Sequence, residues 1–286
     1  MTDHTAREQE IRGARDMTVM VTGASGRTGR RVAEAARTAG LAVRAASRAH
    51  GFDWTDRSTW ADVLRGADAA YLVHPDDIGV PAAAGAVGAL AREAVGLGVR
   101  RLVLLSSRGE EQARPAEQSL RESGADWTVV RAAWFAQNFS EGPLVDGLRH
   151  GKLVFPAGEV REPFVDVRDI ADVVVAVLTA GDRYARRDLE VSGPRLLSFR
   201  EAVAEIAAAT GGELAYVPVT AREYGEDLAA LGVPPAEAGF LVGLFETLLD
   251  GRNARLSDGV REVLGREPRD FSDFAAQTAA AGIWKA

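Results

Sequence analysis

The chain contains no cysteine, and among its 34 basic residues only two are lysine, Lys152 and Lys285. The first absence excludes disulfides, thiolate nucleophiles and sulfur-ligated metals, and fits a reducing compartment. The second narrows the acid–base chemistry open to the chain. No apolar run reaches about 18 residues without a charge, so nothing reads as a membrane span and a cytoplasmic location is expected. Residues 1–16 are polar, lack periodicity and precede a second methionine, Met17. They have no apolar core of the kind a secretory signal needs and are expected to form a leader outside the fold. The net charge of −7 and pI near 5.3 come without a cluster of cations, which argues against a nucleic-acid surface. No pair of histidine or acidic residues has metal-ligand spacing, and no local motif suggests a Ser-His-Asp order.

What is present is a turn. The segment Thr22-Gly23-Ala24-Ser25-Gly26-Arg27-Thr28-Gly29 follows the apolar run Met17-Thr18-Val19-Met20-Val21. It reads as a strand, a glycine loop and a helix start: Gly23 makes the bend, Gly26 lets the backbone approach a pyrophosphate, and Gly29 lets the helix pack on the strand. Backbone N–H groups at the positive end of the helix, with Ser25 and Thr28 beside them, then receive the anion. A helix over residues 27–39 stops at Gly40, and a second strand over 41–46 ends at Ser47-Arg48. About 20 residues beyond such glycines an acid favours NAD, whereas an arginine accommodates the 2′-phosphate of NADP. The stretch from Ala45 to Gly51 holds no carboxylate, so Arg48 and Ser47, with Arg27 as a second cation, point to NADP(H).

Further along, residues 51–54 read as a short third strand, 68–73 as a fourth, 101–106 as a fifth and 127–131 as a sixth, with helices over 57–64, 81–96 and 113–123 between them. This alternation predicts an α/β fold with a doubly wound parallel sheet. A strand over 189–192 is expected to rejoin that sheet. Capping boxes at Ser198/Glu201 and Thr220/Glu223 open helices in a mostly helical C-terminal lobe. The expected organisation is a leader over 1–16, a dinucleotide-binding domain over 17–194 and a substrate lobe over 195–286, the lobe covering the carboxyl ends of the strands.

The turn at 22–29, Phe52-Asp53-Trp54, Tyr71-Leu72-Val73-His74-Pro75, Leu104-Leu105-Ser106-Ser107 and the run from Glu122 through Trp127-Thr128-Val129-Val130-Arg131 to Phe139 together resemble the NmrA-like branch of the atypical short-chain dehydrogenases. The likeness is strongest to its festuclavine/agroclavine dehydrogenase-like group and covers roughly residues 17–285. It implies a Rossmann fold, a small substrate lobe, NADP(H), and a reactive nicotinamide end near the ends of the fourth and fifth strands, with Asp53, Trp54, His74, Pro75 and Ser106 lining the cofactor. Members include quinone reductases, imine reductases and regulators that bind the dinucleotide without turning it over, so membership does not fix activity.

The Tyr-x-x-x-Lys dyad of ordinary short-chain dehydrogenases is missing: four residues after Tyr71, Tyr184, Tyr216 and Tyr224 stand Pro75, Asp188, Thr220 and Leu228. Nor does the stretch 107–120 hold the lysine used by isoflavone-reductase relatives. His74 and Ser106 are left as candidate proton donors, although an unassisted hydroxyl is a poor acid at neutral pH. Trp134, Asn138 and Phe164 are candidate substrate contacts. Two readings stay open: an NADPH-dependent reductase of a small apolar imine or iminium, enone or quinone, acting as a monomer or homodimer, and a non-catalytic NADP(H)-sensing regulator.

Overall fold

The computed structural model describes residues 17–142 and 144–285, so the leader expected over 1–16 lies outside the described residues. In chain order the strands are β1 (Thr18–Thr22), β2 (Ala42–Ala46), β3 (Ala69–Leu72), β4 (Arg101–Ser107), β5 (Asp126–Ala132), β6 (Lys152–Phe155), β7 (Arg161–Glu162), β8 (Arg187–Val191), β9 (Leu197–Ser198) and β10 (Ala215–Pro218). The helices are α1 (Gly29–Thr38), α2 (Trp60–Leu64), α3 (Pro81–Gly96), α4 (Arg114–Arg121), α5 (Leu144–Arg149), α6 (Val167–Thr179), α7 (Phe199–Thr210), α8 (Ala221–Ala230), α9 (Pro235–Leu248), α10 (Gly259–Leu264) and α11 (Phe271–Ala280). Residues 17–132, 167–191 and 259–266 form one compact unit, and residues 133–166, 192–258 and 267–285 a second. The chain passes between them at 132/133, 166/167, 191/192, 258/259 and 266/267, where the sequence predicts a single boundary at 194/195.

The first unit is a six-stranded, wholly parallel sheet in the order β2-β1-β3-β4-β5-β8. Its central strands are apolar on both faces, with Val19, Met20, Val21 and all of β3 sealed from solvent, as a sheet covered on both sides requires. Met20, Ala70, Leu72, Leu102 and Leu104 pack beneath α2, α3 and α4. The alternate residues face α1 and α6, which pack on each other. This is the Rossmann-type doubly wound architecture that the strand–helix alternation implies. β2 lies on one side of β1 and β3 on the other, so strand order reverses at β1/β3, and ligands of open α/β sheets bind at the carboxyl ends of the strands where that reversal occurs. The buried Asp169 of α6 is salt-bridged to Arg266 at 2.7 Å, a structural role.

Residues 51–54 are not a strand. The Asp53 carboxylate accepts hydrogen bonds from both the N–H and the hydroxyl of Thr55, at 2.8 Å each, and the Asp53 carbonyl accepts from Trp60 Nε1 at 2.7 Å. A local side-chain acceptor of this kind competes with ladder pairing, and the segment closes instead as a tight turn with a bridge between Asp53 and Asp56. The sheet therefore holds one strand fewer on the β2 side than the sequence predicts.

The second unit pairs β6 with β10 in parallel and β7 with β9 antiparallel. Both predicted capping boxes are present, opening α7 and α8. Its core is aromatic: Phe139, Phe155, Phe164, Phe199, Phe271 and Phe274 are all buried. Among the described residues no helix is long and apolar enough to cross a membrane, and no cluster of His, Cys, Asp or Glu could hold a metal ion.

Candidate active site

The glycine turn lies at the β1/β3 reversal. Gly23 has φ +59°, the left-handed region that favours glycine, and a Cβ there would stand 2.7 Å from Val73 Cγ1. At Gly29 a Cβ would fall onto the Gly23 carbonyl, so the first turn of α1 lies directly on the end of β1. The Gly26 N–H closes the loop on the Gly23 carbonyl at 2.7 Å. Thr22 ties this turn to the end of β3, its Oγ1 accepting from the Val73 N–H at 2.7 Å. α1 opens without a side-chain cap and without an acid in its first turn, which leaves its positive end suited to an external anion. Ser25 and Gly26 are exposed, Arg27 is half-buried and Thr28 is buried. A turn free of Cβ atoms at an uncapped helix start fits a dinucleotide pyrophosphate.

Ser47 and Arg48 follow β2 directly. Ser47 is extended and hydrogen-bonded through Oγ to His50 Nδ1 at 2.8 Å, which anchors a short helical turn, Arg48–His50. Arg48 is exposed. The nearest acid along the chain, Asp53, is held below the ordinary carboxylate range by its hydrogen bonds to Thr55 and by the Arg48 charge. Trp54 is buried edge-on against Phe52, with its indole 5.5 Å from the His74 ring. Burial pushes the His74 pKa down against the opposing pull of Asp76 and Asp77, so this imidazole is neutral at physiological pH. Pro75, next to it, is exposed.

Ser106 lies elsewhere than expected. Its hydroxyl donates to Glu117 Oε1 at 2.8 Å, on the face of β4 covered by α4. Glu117 is fully buried and also bound by Arg131 through Nε at 2.8 Å and Nη2 at 2.6 Å, with Arg121 at 3.2 Å. Burial alone would raise the Glu117 pKa, but the Arg131 and Ser106 hydrogen bonds and the Arg131 and Arg114 charges outweigh it and lower the value. Ser106 is thus spent on a structural ion network. Ser107 points to the other face, since side chains alternate along a strand.

Beyond β4 stands a group that the sequence pattern does not single out. Glu110 is 2% exposed, and both carboxyl oxygens are sealed from solvent without a hydrogen bond of ordinary geometry. Its Oε1 lies against the Cα of Gly79, where a Cβ would overlap it. The N–H of the same Gly79 donates to Asp77 Oδ1 at 2.7 Å. The carboxyls of Asp77 and Glu110 therefore converge on one glycine at the carboxyl ends of β3 and β4, with the Ser107 hydroxyl beside them. Burial, then Asp77, pushes the Glu110 carboxyl up to about 8. The sequence shows a carboxylate three residues past a strand end, but not the glycine from another loop that it meets.

In the second unit, Trp134 is half-buried and packs on Phe199, Phe245 and Phe155 at ring separations of 5.5, 5.7 and 5.8 Å. Its Nε1–H is sealed without a partner. Asn138 is half-buried in the turn Ala136–Phe139. Phe164, expected to face substrate, is instead enclosed by Phe139, Phe199 and Phe271, because residues 163–165 run through the aromatic core before α6. Gln137 Nε2 donates to the buried Asp166 at 2.9 Å.

Residues 23–181 match the profile of a family described as NAD(P)H-binding. The chain is 33% identical to (4-alkanoyl-5-oxo-2,5-dihydrofuran-3-yl)methyl phosphate reductase of Streptomyces griseus subsp. griseus, over 92% of this chain and 98% of that protein. It is 30% identical to agroclavine dehydrogenase of Claviceps fusiformis, over 91% of this chain and 96% of that protein. In three dimensions it is similar to an NADPH-dependent quinone oxidoreductase from Escherichia coli, crystallised with NADPH. That likeness has a TM-score of 0.75 at 18% identity, covering 91% of this chain and 99% of the other.

Proposed function

Because this chain belongs to the NAD(P)H-binding oxidoreductase family, we propose that it is an NADPH-dependent reductase of a small apolar imine or iminium, enone or quinone. The observation that carries the reading is the glycine turn at the β1/β3 reversal, where Gly29 brings an uncapped helix onto the strand end. Gly23, Ser25, Gly26, Thr28 and Gly29 would hold the pyrophosphate. Ser47 and Arg48, with Arg27 as a second cation, would take the 2′-phosphate, and the stretch from Ala45 to Gly51 holds no carboxylate to reject it. Asp53 and Trp54 would border the adenosine side, and His74 with Pro75 the nicotinamide side. When bound, the dinucleotide supplies the hydride. The chain's own part is positioning and exclusion of water, with Trp134 and Asn138 as the proposed substrate contacts. The relatives support the substrate class through their printed activities, on a clavine and on an oxo-dihydrofuran.

A second reading, a dinucleotide sensor without turnover, is favoured by one observation: the dyad is missing and the Ser106 hydroxyl is committed to Glu117. Calorimetry with NADPH, followed by loss of NADPH absorbance against a panel of cyclic imines, quinones and enones, separates the two. Saturable turnover on any class, abolished in Gly26→Glu, is the expected result. Tight binding without turnover across the panel would shift the assignment to the sensor.

A further inference from the structure

We propose that Glu110 and Asp77, converging on Gly79 with the Ser107 hydroxyl beside them, form the proton source of the reduction, in place of the absent tyrosine–lysine dyad. The inference rests on the reductase reading. Three features of the structure lead to it. Glu110 is buried with both oxygens sealed from solvent and without a hydrogen bond of ordinary geometry, and a carboxylate in that state carries a heavy desolvation cost that the neutral acid avoids. A second carboxyl, on the β3–α3 loop, meets the same glycine, and two close carboxyls resist ionising together. Both sit at the carboxyl ends of β3 and β4, the sheet edge at which ligands of such folds bind. The upward shift of Glu110 to about 8 agrees with a carboxyl that carries its proton at neutral pH.

The groups facing Glu110 bear this out as a designed environment for an acid. From the β3–α3 loop come Asp77 and the uncharged Gly79, and from β4 comes Ser107; Gln112 packs its Cβ against the same glycine. His74, on the same loop as Asp77, is itself kept neutral by burial.

For an enone or quinone the step balances as follows. A bound dinucleotide would supply a hydride with its electron pair and be oxidised, and the substrate would be reduced. Negative charge gathers on the substrate oxygen, an O–H bond forms there through Ser107, and the Glu110 O–H bond breaks. The Glu110 carboxylate then regains a proton from water by way of the half-buried Asp77. An iminium substrate needs no proton, since hydride alone yields the neutral amine. The pair is therefore required for one substrate class and dispensable for the other.

The test compares wild type, Glu110→Gln and Glu110→Asp on a naphthoquinone, cyclohexenone and an N-methyl dihydroisoquinolinium salt across pH. An infrared spectrum of the cofactor-free protein provides a second readout. The expected result is a loss of about 10²-fold or more in kcat for Glu110→Gln on the quinone and enone, with turnover of the iminium salt within about twofold of wild type. Partial recovery in Glu110→Asp is expected, as is a wild-type kcat on the quinone that declines above about pH 8. In the infrared, a protonated-carboxyl C=O band at neutral pH should vanish in Glu110→Gln. Equal loss on all three substrates would overturn the proposal, as would turnover of the iminium salt alone. Wild-type activity on the quinone or enone without the band would overturn the donor and leave the reductase. A band without turnover of any substrate would overturn the reductase reading and the donor role with it.

Discussion

Arg48 is an exposed cation at the end of β2 with no carboxylate in the chain between it and Asp53, and one Asp53 oxygen, Oδ1, is held by Thr55. A guanidinium free to meet a phosphate dianion contributes about 1.5–3 kcal/mol through charge-assisted hydrogen bonds. Arg48→Ala should therefore weaken NADPH about 10- to 100-fold in calorimetry and leave NADH almost unchanged; equal losses for both would remove the 2′-phosphate assignment. The position of Arg48 at the end of β2 is legible in the sequence, because its distance from the glycines is fixed by one helix and one strand. Ser106 was misread for the opposite reason. Its position at the end of β4 could be predicted, but its hydroxyl is taken up by Glu117, and nothing in the local sequence shows that Glu117 meets Ser106 and Arg131. Glu110 was illegible on the same ground, since its environment is a glycine from another loop.

At the scale of elements, Glu117 joins α4 to β4 and β5 through Ser106 and Arg131, and Arg121 and Arg131 continue the network to Asp188 of β8. Removing the carboxylate strips the buried Arg131 of its bidentate partner and leaves Asp188 to balance two arginines. Glu117→Ala should cost about 3–5 kcal/mol in denaturant unfolding. Because the folded state depresses the Glu117 pKa, its contribution is complete above the ordinary glutamate value and disappears as pH falls through the depressed one. The difference between wild type and Glu117→Ala should accordingly shrink in acid; a gap independent of pH would contradict the ionic account. Elements governed by local chemistry were readable from the sequence, among them the capping boxes at Ser198 and Thr220 and the glycine stop after α1. Residues 51–54 were not, because alternating apolar character marks a strand only when no side chain competes for the backbone, and Asp53 competes.

At the scale of the whole molecule, the parallel sheet follows from strand–helix alternation over the first unit, and its order places the glycine turn at the reversal. The second unit was less legible. Its pairings, β6 with β10 and β7 with β9, join segments far apart in sequence, and its aromatic residues carry no periodic signature separating core from pocket, so Phe164 was placed in the wrong one. The family and the turn together make hydride transfer the central claim. It is read from NADPH carrying deuterium at both C4 positions and the enone of the substrate panel, by mass spectrometry of the product. The account predicts one deuterium in the reduced product, absent when Gly26→Glu replaces the wild type. Bound NADPH that keeps its deuterium through prolonged incubation with every substrate class would contradict it.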